Sequence, residues 1–232
     1  MGFYFNRIYN PVYDFIVGQI APYHRLQETC ISKLELNDGD RLICAGIGTG
    51  NEALRILDHT HQVQITGIDS SDTALRKAQK KARTQGIDIE TKLMDVHRLD
   101  FPDETFDNTL CVHVTDFLAD SGKAASELLR VLKKGGHFAI TFPSSKEDLA
   151  FGISIIGDTI HSHIKARKYW KMLILFAAAT LGAIVYLPFL FRRERRQYAK
   201  TEIEGIFATQ KIQQLQIEEF PVYSDFIAYG IK

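Results

Sequence analysis

The feature that most constrains this chain is an alternation running from Arg41 to Phe142, in which short apolar or β-branched runs are separated by stretches of helical character. The runs are Arg41–Ala45, Val63–Ile68, Ile87–Met94, Phe106–Val112 and His137–Phe142, and the helical stretches are 50–59, 72–84 and 118–133. Short strands alternating with helices read as βαβ units, which build a parallel sheet with helices on its faces. The stretch 72–84 fits a covering helix, because Asp72, Arg76, Lys77, Lys80, Lys81 and Arg83 supply its charged side. Lys133-Lys134-Gly135-Gly136 reads as the stop of the third helix, with cations at its negative end and glycine beyond.

Composition narrows the possibilities around that frame. A length of 232 residues is ample for one elaborated domain. Its 28 basic and 28 acidic side chains cancel, so electrostatics give it no reason to seek nucleic acid. The cysteines, Cys30, Cys44 and Cys111, are odd in number and suit free thiols in a reducing compartment. The start, Met1 to Asn6, lacks the apolar core of an export signal, and Asn6 stands where a myristoylation signal wants Ser or Thr. The expected organisation is a helical cap over 1–36, with Pro11 and Pro22 near the starts of two helices, and a core over 37–142. An insertion over 143–200 precedes a closing segment, 201–232, whose strands Ile212–Pro221 and Asp225–Ile231 flank a Pro-Val-Tyr-Ser turn.

Chemistry enters at Gly46-Ile47-Gly48-Thr49-Gly50, directly after the first strand. Glycines there let a ligand approach the backbone, and the N–H groups of the following helix face it. Taken alone, the loop is also compatible with a tight strand-to-helix turn. Asp69 ends the second strand, where an acid can accept both hydroxyls of a ribose. Met94-Asp95-Val96 ends the third, placing a carboxylate where it can accept from an adenine amino group. A nicotinamide-dependent oxidoreductase is the alternative enzyme, but its glycine fingerprint requires glycine at 51, where this chain has Asn51. A membrane-associated nucleoside-binding protein without turnover is the non-enzymatic alternative.

These residues resemble the class I S-adenosylmethionine-dependent methyltransferases, in particular the ubiquinone/menaquinone-biosynthesis and phospholipid N-methyltransferase types. The resemblance runs through Leu42 to Gly50, Gly67-Ile68-Asp69-Ser70-Ser71, Leu93-Met94-Asp95-Val96, Phe101 to Asp107 and Leu128 to Gly136, in that order. Tyr9-Asn10-Pro11-Val12-Tyr13-Asp14 is similar to the segment that caps the cofactor in such enzymes. The resemblance implies an α/β, Rossmann-like sheet of seven strands in the order 3-2-1-4-5-7-6, the last strand antiparallel. It implies S-adenosylmethionine as cofactor, bound by Gly46, Gly48, Thr49, Gly50, Asp69, Ser70, Asp95, Val96 and Tyr13. Cys44 departs from the pattern, since the family often has an acid there that fixes the glycine loop or the methionine amino group.

Methyl transfer from a sulfonium needs alignment and a dry pocket, and a base only where the acceptor must lose a proton. His113, just after the fourth strand, is the candidate base. Asp116 reads as the cap of the next helix and His97 as a surface loop residue, while His161 and His163, two apart, suit no single metal site.

The segment 172–191 carries no charge and nearly reaches the ~20 apolar residues that span a bilayer. A span would separate the closing strands from their sheet. Basic residues flank both ends, Lys165, Arg167, Lys168 and Lys171 before it and Arg192, Arg193, Arg195 and Arg196 after it, which puts both on the cytoplasmic side. The expectation is a shallow hairpin or broken amphipathic pair bent near Gly182 or Pro188, with 149–164 as partner wall, covering a pocket for a hydrophobic or lipid-like acceptor. Two forms stay open, a peripheral contact with the inner face of a membrane through 165–196 and a buried helix pair that meets no lipid.

Overall fold

The computed structural model describes residues 10–59, 62–144, 149–165, 167–190, 196–220 and 225–232. Tyr9, Arg192, Arg193, Arg195 and the Pro-Val-Tyr-Ser turn lie outside the described residues. Two helices, α1 (Asn10–Val17) and α2 (Ala21–Ser32), precede an alternating series: β1 (Arg41–Ala45), α3 (Asn51–His59), β2 (Gln64–Asp69), α4 (Asp72–Thr84), β3 (Glu90–Leu93) and β4 (Phe106–Cys111). Then come α5 (Ser121–Val131), β5 (Leu132–Pro143), α6 (Leu149–Lys165), α7 (Lys171–Leu190), α8 (Lys200–Phe207), β6 (Gln214–Phe220) and β7 (Asp225–Ile231).

The strands form a seven-stranded sheet in the order β3-β2-β1-β4-β5-β7-β6. β1 to β5 pair in parallel, and β7 runs antiparallel between β5 and β6. This is the expected order and departs from the dinucleotide-binding arrangement 3-2-1-4-5-6.

Period-two alternation explains how one sheet serves two cores. Along β1, Leu42 and Cys44 face one cluster while Ile43 and Ala45 face the other. On the first side α2, α3 and α4 bring Leu26, Ile56, Leu75 and Ala78; on the second, α5 and α8 bring Leu128, Leu129, Ile203 and Phe207. All three cysteines are buried and free, as expected. α4 starts where Ser71 accepts from the Ala74 N–H at 3.3 Å, a cap of about 1 kcal/mol.

Local readings differ from the sequence expectation in three places. Asp120, not Asp116, caps α5 by accepting from the Lys123 N–H at 2.9 Å; Asp116 is buried in the 3-10 turn Thr115–Phe117. Lys133 to Gly136 belong to β5 rather than to a helix stop, because Leu132 is already extended and paired with Phe106. Gly135, at φ +78°, carries the register shift, and Lys133 reaches Asp107 Oδ1 at 2.6 Å.

The third difference is the apolar segment. Lys171–Leu190 is one helical element rather than a broken pair, so the hairpin is formed between α6 and α7 with its turn at 167–170. α6 packs on α2, with Arg25 paired to Asp158, and α7 packs on α1. Among the described residues, no helix is long and apolar enough to cross a membrane.

Candidate active site

The site begins where β1 ends. Gly46 has φ +66°, and a Cβ added there would lie 2.2 Å from Val114 Cγ2, so both conformation and space require glycine. The Gly48 N–H donates to Asp69 Oδ2 at 2.9 Å and the Ser71 N–H to Asp69 Oδ1 at 2.8 Å. Asp69 therefore holds the glycine loop as well as facing the cleft. With the Ser70 N–H also acting on it, the carboxylate, which has about four lone-pair sites, still has capacity for a further donor. Burial pushes the Asp69 carboxyl above its ordinary value, and the Ser71 and Gly48 N–H groups pull against it.

A cleft of about 390 Å³ opens over the carboxyl ends of β1 to β4, within the range of small-molecule sites. Gly46, Gly48, Thr49, Asp69 and Ser70 line it on one side, and Asp95 and Val96 at the far end. Tyr13 and His113 complete the set brought together as expected. Gly50 is the exception. It is buried behind the cleft, where an added Cβ would lie 3.0 Å from Ala78 Cβ, so it permits close packing of the loop on α4. Thr49 reaches the wall, but its hydroxyl donates to Asp14 Oδ1 at 2.5 Å. Lys81 Nζ pairs with the same oxygen at 2.7 Å, and Thr49 thereby anchors α1.

His97 is no bystander. Its N–H and Nδ1 lie 2.9 and 2.7 Å from Asp95 Oδ1. These two bonds hold the Asp95 carboxyl below its ordinary value.

His113 follows β4 with φ +54°, a left-handed conformation a non-glycine residue adopts only where its surroundings enforce it. Three contacts do so. Its N–H donates to Thr141 Oγ1 at 2.9 Å, its ring stacks on Tyr23 with centroids 5.2 Å apart, and Nδ1 lies 3.4 Å from Asp225 Oδ2. Asp225 is 3% exposed. The Asp225 carboxyl thus stands behind the imidazole on its Nδ1 side.

The sequence reading missed Asp225, Tyr23 and Glu52. Glu52, in the first turn of α3, lines the cleft and accepts at Oε1 from Gln27 Nε2 at 2.6 Å and Tyr23 Oη at 3.2 Å. Tyr23 Oη lies 2.8 Å from Tyr13 Oη. Burial raises the Glu52 carboxyl above its ordinary value, opposed first by the Gln27 bond. Its position directly after the glycine loop was the available signal. Asp225 had none, because 112 residues separate it from His113. Among the described residues no cluster of His, Cys, Asp and Glu is fit to hold a metal. Among the described residues α6 and α7 supply none of the cleft's walls; they pack on α1 and α2, which carry Tyr13 and Tyr23.

Residues 43–140 match the family described as "Methyltransferase domain". A phosphatidylethanolamine N-methyltransferase of Cereibacter sphaeroides is 33% identical over 60% of this chain and 68% of its own length. A demethylmenaquinone methyltransferase of Thermus thermophilus is 29% identical over 64% of each, so the chain spans about two thirds of these relatives. In structure, a SAM-dependent methyltransferase of Aquifex aeolicus superposes with a TM-score of 0.62 at 16% identity, covering 93% of this chain and 96% of that one. With the strand order, the glycine loop and the carboxylates at the strand ends, these likenesses establish that the chain belongs to the class I S-adenosylmethionine-dependent methyltransferases.

Proposed function

We propose that this chain methylates a hydrophobic or lipid-like acceptor at the cytoplasmic face of an anionic membrane. One observation carries the reading: the hairpin seated on the cleft's own cap helices turns apolar side chains outward next to a basic turn. Leu173, Phe176 and Trp170 are 78%, 64% and 63% exposed, and Tyr169 and Ile153 are exposed too. Lys165, Arg167, Lys168 and Lys171 flank the turn. Exposed apolar side chains edged by aromatics and cations suit an anionic lipid surface, each cation adding about 1 kcal/mol.

The residues divide the work by position. Asp69 accepts the ribose hydroxyls, while Asp95, steadied by His97, and Val96 receive the adenine. Gly46 and Gly48 let the cofactor approach the backbone, with Ser70 beside the ribose and Tyr13 closing above. Bound S-adenosylmethionine supplies a methyl group already activated on a sulfonium. His113 takes a proton from the acceptor where the acceptor must lose one, and Asp225 stabilises the resulting imidazolium. Tyr23 holds the imidazole plane, and the cap helices exclude water.

The test is transfer of labelled methyl from S-adenosylmethionine to acceptors in vesicles of anionic phospholipid carrying a quinol or an ethanolamine lipid, compared with soluble amines and phenols. Labelling confined to the organic phase supports the reading. Equal or greater labelling of soluble acceptors would defeat it.

A further inference from the structure

We infer that Glu52 receives the cationic ammonium end of the cofactor, taking over a task that no side chain on β1 can perform here. The inference rests on the cofactor placement just proposed and assigns its remaining end.

The argument starts from the strand order. Because the sheet runs β3-β2-β1-β4 across the cleft, its edge presents Asp95 after β3, Asp69 at the end of β2, Glu52 beyond β1 and His113 after β4. S-adenosylmethionine is itself linear: adenine, ribose, then a sulfonium from which the methyl and the amino-acid chain branch. With adenine at Asp95 and ribose at Asp69, the amino-acid chain falls over the β1–α3 junction and the methyl group faces His113. An ammonium in a half-buried cleft requires an anionic or carbonyl acceptor, since leaving a charge unpaired there is costly.

Glu52 is equipped for that. The β1 side chain nearest the loop with any ionisable character is Cys44, which is fully enclosed by apolar neighbours, and burial pushes its thiol well above its ordinary value. It carries no charge to offer. Glu52 lines the cleft, and Gln27 and Tyr23 fix its carboxylate through Oε1. Gln27, fully buried, accepts in turn from Arg55 Nε at 2.9 Å, so the carboxylate is held by a chain of hydrogen bonds. Its own backbone N–H also bonds the carboxylate and Lys81 acts on it at longer range; with about four lone-pair sites, the group retains acceptor capacity for a further donor. The same group, half-buried at the cleft wall and raised in pKa by desolvation, gains from an incoming cation, because pairing offsets that desolvation.

Three probes in isothermal titration test this: S-adenosylhomocysteine, its decarboxylated form, which keeps the amine, and 5′-methylthioadenosine, which lacks the amino-acid end. Glu52→Gln keeps an oxygen able to accept from Gln27 and Tyr23. It should weaken the first two probes by about tenfold or more and leave methylthioadenosine within about twofold of wild type. Equal loss on all three probes, or no loss on S-adenosylhomocysteine, overturns the assignment while leaving the cofactor site intact. If wild-type protein binds none of them, the cofactor placement fails and the assignment fails with it.

Discussion

The cleft and the α6–α7 hairpin are both rich in apolar contacts, yet the chain specifies them by different means. At the cleft three carboxyl groups are held by a backbone group or another side chain: Asp69 by Gly48 and Ser71, Asp95 by His97, Glu52 by Gln27. The hairpin buries Ile155, Thr159, Leu175 and Ala178 against the cap and leaves Leu173 and Phe176 outward. One region is completed by its own chain. The other leaves large apolar side chains facing outward, so burial within the fold does not account for them.

The sharpest way to break this contrast is at His113. His113→Asn should lower kcat by about 10²-fold or more while leaving S-adenosylhomocysteine affinity unchanged. A loss of only a few fold would make His113 a wall that orients the acceptor. Next, Asp69→Ala removes charge-assisted hydrogen bonds of about 1.5–3 kcal/mol, so cofactor affinity should fall at least about tenfold by titration. Unchanged affinity in folded protein would remove Asp69 from the site.

The hairpin should respond in the opposite sense. Leu173→Asp sacrifices about 1.5–3 kcal/mol of apolar transfer and should reduce partition into anionic vesicles by about tenfold, with S-adenosylhomocysteine affinity unchanged. Raised salt should release wild-type protein in the same assay. Equal vesicle binding by the variant would dissolve the distinction between the two regions.

The smallest effect concerns pH. Burial raises the Glu52 carboxyl in the fold, so its ionisation opposes folding. The stability linked to it is fully present below the unfolded value of about 4.3 and is lost as pH rises through the folded one. Glu52→Gln removes this titration, so its Tm relative to wild type should climb from acid towards neutral pH and then level off. A flat difference would uncouple Glu52 from folding.

What could be read from the sequence follows from how local each determinant is. Arg41–Ala45, Asp72–Thr84 and Asp225–Ile231 coincide with their elements end to end, because alternation, a serine cap and β-branched runs act within a few residues. The cleft-lining positions at the strand ends were legible for the same reason: each stands where a strand gives way to a turn. Thr49 lines the cleft with its hydroxyl engaged by Asp14, and Gly50 packs on Ala78; these contacts could not be read from the sequence because both partners come from other helices. Asp225 was invisible because β7 delivers it from the far end of the chain, opposite Pro143 on β5. The hairpin was expected to bend within its apolar run, whereas the Arg-Lys-Tyr-Trp stretch at 167–170 makes the turn.

The position of β7 has a consequence for the order in which the molecule is made. It is the last strand in chain order, yet it sits between β5 and β6. Until residues 225–231 have left the ribosome, β5 has an open hydrogen-bonding edge and β6 has no neighbour in the sheet. The same seven residues bring the carboxylate that backs His113. A chain halted before them lacks both the strand that closes this edge and the carboxyl group that stands 3.4 Å from His113 Nδ1, so the sheet and this wall of the cleft are finished by one and the same event.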